Sequence, residues 1–199
     1  GCNSGSGFGG MLGPVPLAQA EAQGSALQKE LGAASIAEMR SLPGDRIATA
    51  TTRRDAMVRD GYVLTGTMEE VFSARAQSDV PVLIGYTRDE SFRPLPPAAD
   101  KTALEAAVRE RFPENAEAIL KAYGKDAPAR AATDIARDAT VGRQMALWAQ
   151  AQRKFGTQPA YAYLFARRQP YAPGITFSDH DPETVGAYHT RDVPYWLGT

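Results

Sequence analysis

The stretch Asp79-Val80-Pro81-Val82-Leu83-Ile84-Gly85-Tyr86-Thr87-Arg88-Asp89-Glu90 decides the fold. From Val80 to Tyr86 it is one continuous apolar run, which suits a strand covered on both faces, as in a parallel sheet. The charged cluster Thr87 to Glu90 then falls just past the strand's C-terminal end, where open α/β sheets hold their working groups. Downstream, Ala160-Tyr161-Ala162-Tyr163-Leu164-Phe165 follows Pro159 and reads as a second sheet strand. Between the two lies a helical excursion. Thr102 with Glu105 opens its first helix toward Leu104, Val108 and Phe112, and helices are expected at about 114–123 and about 129–154. The last of these carries Ile135, Val141, Met145 and Trp148 on one side. Strand, helices and strand in that order predict an α/β fold.

Upstream of the first strand the signals are shorter. Leu17, Ala20, Leu27 and Leu31 form one helical stripe, ended by Gly32. Ser35 with Glu38 forms a capping-box pair ahead of Met39 and Leu42, and Pro43-Gly44 ends that helix. Asp60-Gly61 turns the chain into Tyr62-Val63-Leu64, a β-prone run, and Thr67 with Glu70 opens a helix that turns Met68, Val71 and Phe72 inward. Residues 169–188 read as loop, and the last residues, Tyr195 to Thr199, show no terminal helix or strand.

Composition removes several functions. The 199 residues hold 22 Lys plus Arg against 23 Asp plus Glu, scattered rather than gathered, which argues against a nucleic-acid surface. No apolar run approaches the roughly 18 residues of a bilayer span. The single cysteine, Cys2, excludes an internal disulfide and a multi-cysteine metal site, and the glycine-rich start lacks the Lys-Ser/Thr that a phosphate cradle needs. No cofactor and no metal are expected. Only His180 and His189 can supply imidazole. His180, flanked by Asp179 and Asp181, reads as a solvated loop histidine.

The remaining pair carries the chemistry. Glu90 directly follows the apolar strand and His189 lies 99 residues later in a loop bracketed by aromatics. Acid then histidine is the back half of the order in which α/β-hydrolases present a nucleophile, an acid and a base. A hydroxyl is a weak nucleophile at neutral pH until an imidazole takes its proton, and a carboxylate must fix that imidazole's tautomer.

Several segments strengthen this reading. Asn3-Ser4-Gly5-Ser6-Gly7 looks like the "QSGS" strand end of the type-B carboxylesterases, the family of para-nitrobenzyl esterases and cholinesterases. Asp60-Gly61-Tyr62-Val63-Leu64 resembles that family's "DGyvlp" turn, Asp79 to Gly85 its "vPvLiG" strand, and Tyr161 to Phe165 its "vYlYyF" strand. Thr87-Arg88-Asp89-Glu90-Ser91 is similar to its "n-x-D-E-G" segment, and Gly186 to Tyr195 to its "GafHgxElpyvFg" segment. The resemblance runs from about residue 3 to 198. It implies a partial α/β-hydrolase, a piece of mixed sheet with helical insertions, with 1–199 as one incomplete domain lacking its N-terminal half and final elements. Glu90 is implied as the catalytic acid and His189 as the base, acting on a small-molecule ester through an acyl-serine, with Asp138 in a structural ion pair. Ser91 and Thr190 replace family glycines, and Asp192 replaces a glutamate.

The nucleophile is not visible. No serine of the chain has glycine at both i−2 and i+2, so the G-x-S-x-G elbow and the oxyanion donors are expected outside these residues. The chain alone is therefore expected to be inactive. The alternative from another class is a catalytically silent, cholinesterase-like binding or adhesion protein.

Overall fold

The computed structural model describes residues 13–52, 57–90 and 94–198. These fall into two compact units, one within Leu12–Gln77 and one within Ser78–Thr199. No helix among the described residues is long and apolar enough to cross a membrane.

In the first unit, strand β1 (Val15–Pro16) pairs in parallel with β2 (Val58–Arg59). Helix α1 (Leu17–Leu31) buries Leu27 and Leu31 and stops at Gly32, whose φ of 70° takes the left-handed conformation that needs no Cβ. Helix α2 (Ile36–Ser41) has Ser35 Oγ accepting from the Glu38 N–H at 3.1 Å, while the Glu38 carboxylate takes the N–H of Ala34 at 2.7 Å. Pro43 ends α2 and caps a further short helix, α3 (Gly44–Ala48). Helix α4 (Met68–Ser73) has the complete capping box between Thr67 and Glu70 and buries Phe72.

The β-prone run at Tyr62-Val63-Leu64 does not form a strand. Asp60 Oδ1 accepts the N–H groups of Tyr62, Val63 and Leu64 at 3.0, 2.9 and 3.1 Å, so the donors a ladder would use are already satisfied in a turn. Tyr62 and Val63 point to solvent, and the strand of this region is β2 just before the turn.

The second unit contains the two expected strands. β3 (Val82–Thr87) and β4 (Ala160–Phe165) are parallel, in register from Val82 opposite Ala160 to Thr87 opposite Phe165. A parallel pair needs a long crossover, supplied by α5 (Lys101–Arg111), α6 (Ala116–Tyr123), α7 (Pro128–Arg137) and α8 (Arg143–Phe155). Asp100, not Thr102, caps α5, because its carboxylate accepts the Ala103 N–H at 2.9 Å. Leu104 and Val108 of α5 join Leu95, Ile135 and Ala131 in one core. Burial on that scale is worth about 1.5–3 kcal/mol for each large side chain.

The expected helix at about 129–154 is continuous but widens into a π-type turn at Asp138–Gly142 between α7 and α8. Thr140 Oγ1 returns to the Ala136 carbonyl at 2.7 Å, and Gly142 admits Tyr86: a Cβ there would lie 3.3 Å from the tyrosine oxygen. Val141 and Met145 pack on Ile84 of β3.

The other face of β3 is covered unevenly: Tyr163 lies against Gly85 and Thr87 is buried, but Leu83 is 55% exposed. The apolar run thus gives a parallel strand, but not one enclosed on both faces here. The start of β3 is pinned to the entry of β4 by polar contacts. Buried Gln152 donates to Asp79 and to the Val80 carbonyl, and Asp79 accepts the Thr157 N–H and hydroxyl at 2.8 and 2.6 Å. Residues 169–188 contain no helix or strand, as expected, but the chain near its end does form a short helix, α9 (Val193–Leu197).

Candidate active site

β3 and β4 end side by side, so whatever follows each strand shares one edge of the sheet. After β3 the backbone turns at once, and buried Glu90 folds back so that its Oε1 accepts the Thr87 N–H at 2.8 Å. Its other oxygen, Oε2, is hydrogen bonded to Nδ1 of His189. An ionised carboxylate only accepts, so Nδ1–H donates and Nε2 becomes the basic nitrogen of the ring. The carboxylate is 5% exposed and the imidazole 56%. A buried acid therefore holds a half-exposed imidazole. The Arg88 guanidinium pairs with Asp89, not with Glu90.

Two anchors hold the histidine loop, one on each side of His189. Before it, the Asp89 N–H donates to the Ala187 carbonyl at 3.0 Å and Asp89 Oδ2 accepts the Ala187 N–H at 2.7 Å. Gly186 makes this approach possible, with φ of 68° and no Cβ, since a Cβ would lie 2.2 Å from Asp89 Oδ2. After His189, Asp192 accepts the Tyr163 hydroxyl of β4 at 2.5 Å and the Trp196 indole N–H at 3.3 Å. The Tyr163 ring lies against Gly85 of β3, where an added Cβ would sit 2.3 Å from it. Thr190, the residue after the histidine, is held at φ of 70°, a conformation that a β-branched residue adopts only under strain.

Behind the turn lies an ion network. Arg130 of α7 binds Asp89 and Asp134, and Arg137 reaches Asp134 at 2.5 Å and Asp138 at 2.7 Å. Both arginines also donate to the Arg88 carbonyl, Arg137 at 2.9 Å and Arg130 at 3.3 Å. Burial pushes the Asp89 carboxyl up, but hydrogen bonds from Arg130, the Ala187 N–H and Arg88 outweigh it and hold the group below the ordinary carboxylate range. Asp138 also accepts the Tyr123 hydroxyl at 2.7 Å; burial first, and that contact second, push the phenol up.

Glu90 and His189 open onto a cavity of about 510 Å³ whose walls are Ile84, Tyr86, Val141, Met145, Trp148, Trp196 and Leu197. The walls are mainly apolar, and Thr87, Glu90, His189, Thr190 and Asp192 supply the polar lining. Among the described residues no group of three or more histidine, cysteine or acidic side chains could hold a metal ion.

The structure thus brings together Glu90 and His189. It does not bring His180 to them. That histidine is not solvated either: its side chain is 13% exposed, stacked on Phe177 at 4.4 Å and bonded through Nδ1 to Asp179 at 2.9 Å. Cys2, Ser4, Ser6 and Ser91 lie outside the described residues. Asp89, Arg130 and Asp192, which hold the acid turn and the histidine loop, carry no motif of their own in the sequence. The visible signals were the adjacent acids Asp89-Glu90 and the glycine three residues before His189.

Against solved structures, the chain is similar to Aspergillus niger EstA, with 17% identity and a TM-score of 0.54 over 94% of this chain. The likeness shows the fold. It is an α/β fold, and this chain spans 40% of the length of EstA. No family model matches the sequence, and no curated protein matches it.

Proposed function

We propose that this chain carries the acid and the base of a serine-dependent carboxylic ester hydrolase, as part of a larger α/β-hydrolase domain of the type-B carboxylesterase class. The Glu90–His189 contact at the shared C-terminal edge of two parallel strands is the observation that carries the reading. In this reading Glu90 fixes the tautomer and stabilises the imidazolium. His189 Nε2 takes the proton of a serine hydroxyl as that oxygen attacks the ester carbonyl, then gives it to the departing alcohol. Water, deprotonated by the same nitrogen, attacks the acyl carbonyl, and the proton passes to the departing serine oxygen as the acid is released. The serine and the oxyanion donors come from sequence outside these 199 residues, and residues 1–199 form one incomplete domain.

The EstA-like fold and the order of acid and histidine along the chain support the same reading. The substrate is a small ester whose apolar part occupies the cavity beside Ile84 and Trp148. The test is nitrophenyl-butyrate hydrolysis by the protein extended through the coding sequence contiguous with Gly1. Activity in the extended protein, falling by about 10²–10⁴ in Glu90→Gln, supports the proposal. An extended protein that binds the ester but never turns it over, with glycine or alanine at the elbow, would instead support the silent binding relative.

A further inference from the structure

Asp89 has more partners than an exposed turn carboxylate requires. Its own N–H and Oδ2 bind both polar groups of Ala187, and its Oδ1 is bound by Arg130. Ala187 is fully buried and lies two residues before His189, while Asp89 immediately precedes Glu90. The acid turn and the histidine loop are therefore joined twice: at 89–187, by one backbone hydrogen bond and the Asp89 carboxylate on the Ala187 N–H, and at 90–189 through side chains.

Such a double attachment has a mechanical consequence. One hydrogen bond between a carboxylate and an imidazole leaves the two loops free to hinge about it. A second, two residues away and made to both backbone groups of Ala187, removes that freedom. Gly186 is what allows the second attachment, because any side chain there would strike Asp89 Oδ2. Arg130 holds the other oxygen of the carboxylate from a helix that packs in the main core of the unit.

Resting on the hydrolase reading, we propose that Asp89 is a positioning residue that sets the alignment of His189 against Glu90, acting through Ala187 with Gly186 as the required small partner. It takes no proton and touches no substrate. Its role is to keep the imidazole Nδ1–H directed at Glu90, so that Nε2 faces the reactant.

The test uses the protein extended upstream of Gly1 and labelled with ¹⁵N-histidine, with the His180 and His189 signals assigned by single substitution of each. The Nδ1–H of His189 is followed by proton–nitrogen NMR in the wild type, Asp89→Ala, Gly186→Ala and Glu90→Gln. His180, bonded to Asp179, serves as the internal reference. In Asp89→Ala and in Gly186→Ala, solvent exchange of the His189 Nδ1–H is expected to rise at least about tenfold, with the His180 signal unchanged. Retention of wild-type exchange in both variants, while Glu90→Gln abolishes the signal, overturns the positioning role and leaves the hydrolase reading in place. A signal that survives Glu90→Gln unchanged sinks the paired reading itself. Loss of both histidines' native signals in Asp89→Ala and Gly186→Ala together marks Asp89 as general support of the fold and also overturns the positioning role.

Discussion

Thr190→Gly is expected to stabilise the protein, against the usual direction of a point substitution. Thr190 sits at φ of 70°, and its side chain is exposed, so little packing is lost on truncation. Its backbone carbonyl, which accepts the Val193 N–H at 3.1 Å, is retained. Relief of a left-handed conformation is worth about 1–2 kcal/mol for a residue with a Cβ. The extra freedom of glycine in the unfolded chain takes back about 0.5–1 kcal/mol. The net gain is about 0.5–1 kcal/mol, or about 1–4 °C in Tm for a chain of this size. Thr190→Ala is the control, because it removes the hydroxyl and one methyl but keeps the Cβ that causes the strain. Thermal unfolding followed by circular dichroism separates the two variants. Equal stability of Thr190→Ala and Thr190→Gly, or a loss in Thr190→Gly, would refute the strain argument.

Three further outcomes follow from the same contacts. The Asp89 carboxyl lies below its ordinary value in the folded protein, so its contribution is present above the unfolded pKa near 4 and lost as pH falls through the folded value; urea midpoints measured from pH 6 to pH 2 should fall less steeply in Asp89→Asn. Glu30, held down to about 2 chiefly by the Thr52 hydroxyl and the Thr51 N–H, acts with the same sign in the first unit, and Thr52→Val should raise the Glu30 midpoint seen by carboxyl-carbon NMR. Gly85→Ala should destabilise by about 1–3 kcal/mol, since the new methyl would meet the Tyr163 ring at 2.3 Å, and denaturant unfolding would show it; a loss under about 0.5 kcal/mol would mean that Tyr163 yields freely.

The fold was legible where one signal acted alone. Val82 to Thr87 and Ala160 to Phe165 are strands because apolar, β-prone runs of that length have few other outcomes, and the helical stretch between them forces the parallel pairing. It was not legible where a side chain competes with the backbone. The pattern at Tyr62-Val63-Leu64 is that of a strand, but one aspartate oxygen takes three of its N–H groups. Asp100 outcompeted Thr102 as a cap for the related reason that an ionised carboxylate is the stronger acceptor at a helix N-terminus.

The pairing of Glu90 with His189 was legible because the acid directly follows an apolar strand and the chain has only two histidines. The supports were harder to see. Asp89, Arg130 and Asp192 act through distances between loops far apart in sequence, and no local periodicity encodes them. His180 shows the converse: acidic neighbours suggested a solvated loop, while Phe177, Tyr171 and Tyr188, spread over eighteen positions, enclose its ring.

The most direct measurement is chemical rescue of the base in the protein extended upstream of Gly1. His189→Ala should lower kcat/KM for a nitrophenyl ester by about 10³ or more, and added imidazole should restore part of it, whereas Glu90→Gln should gain nothing from imidazole. Undiminished turnover in His189→Ala would contradict the assignment of this histidine as the group that activates the hydroxyl.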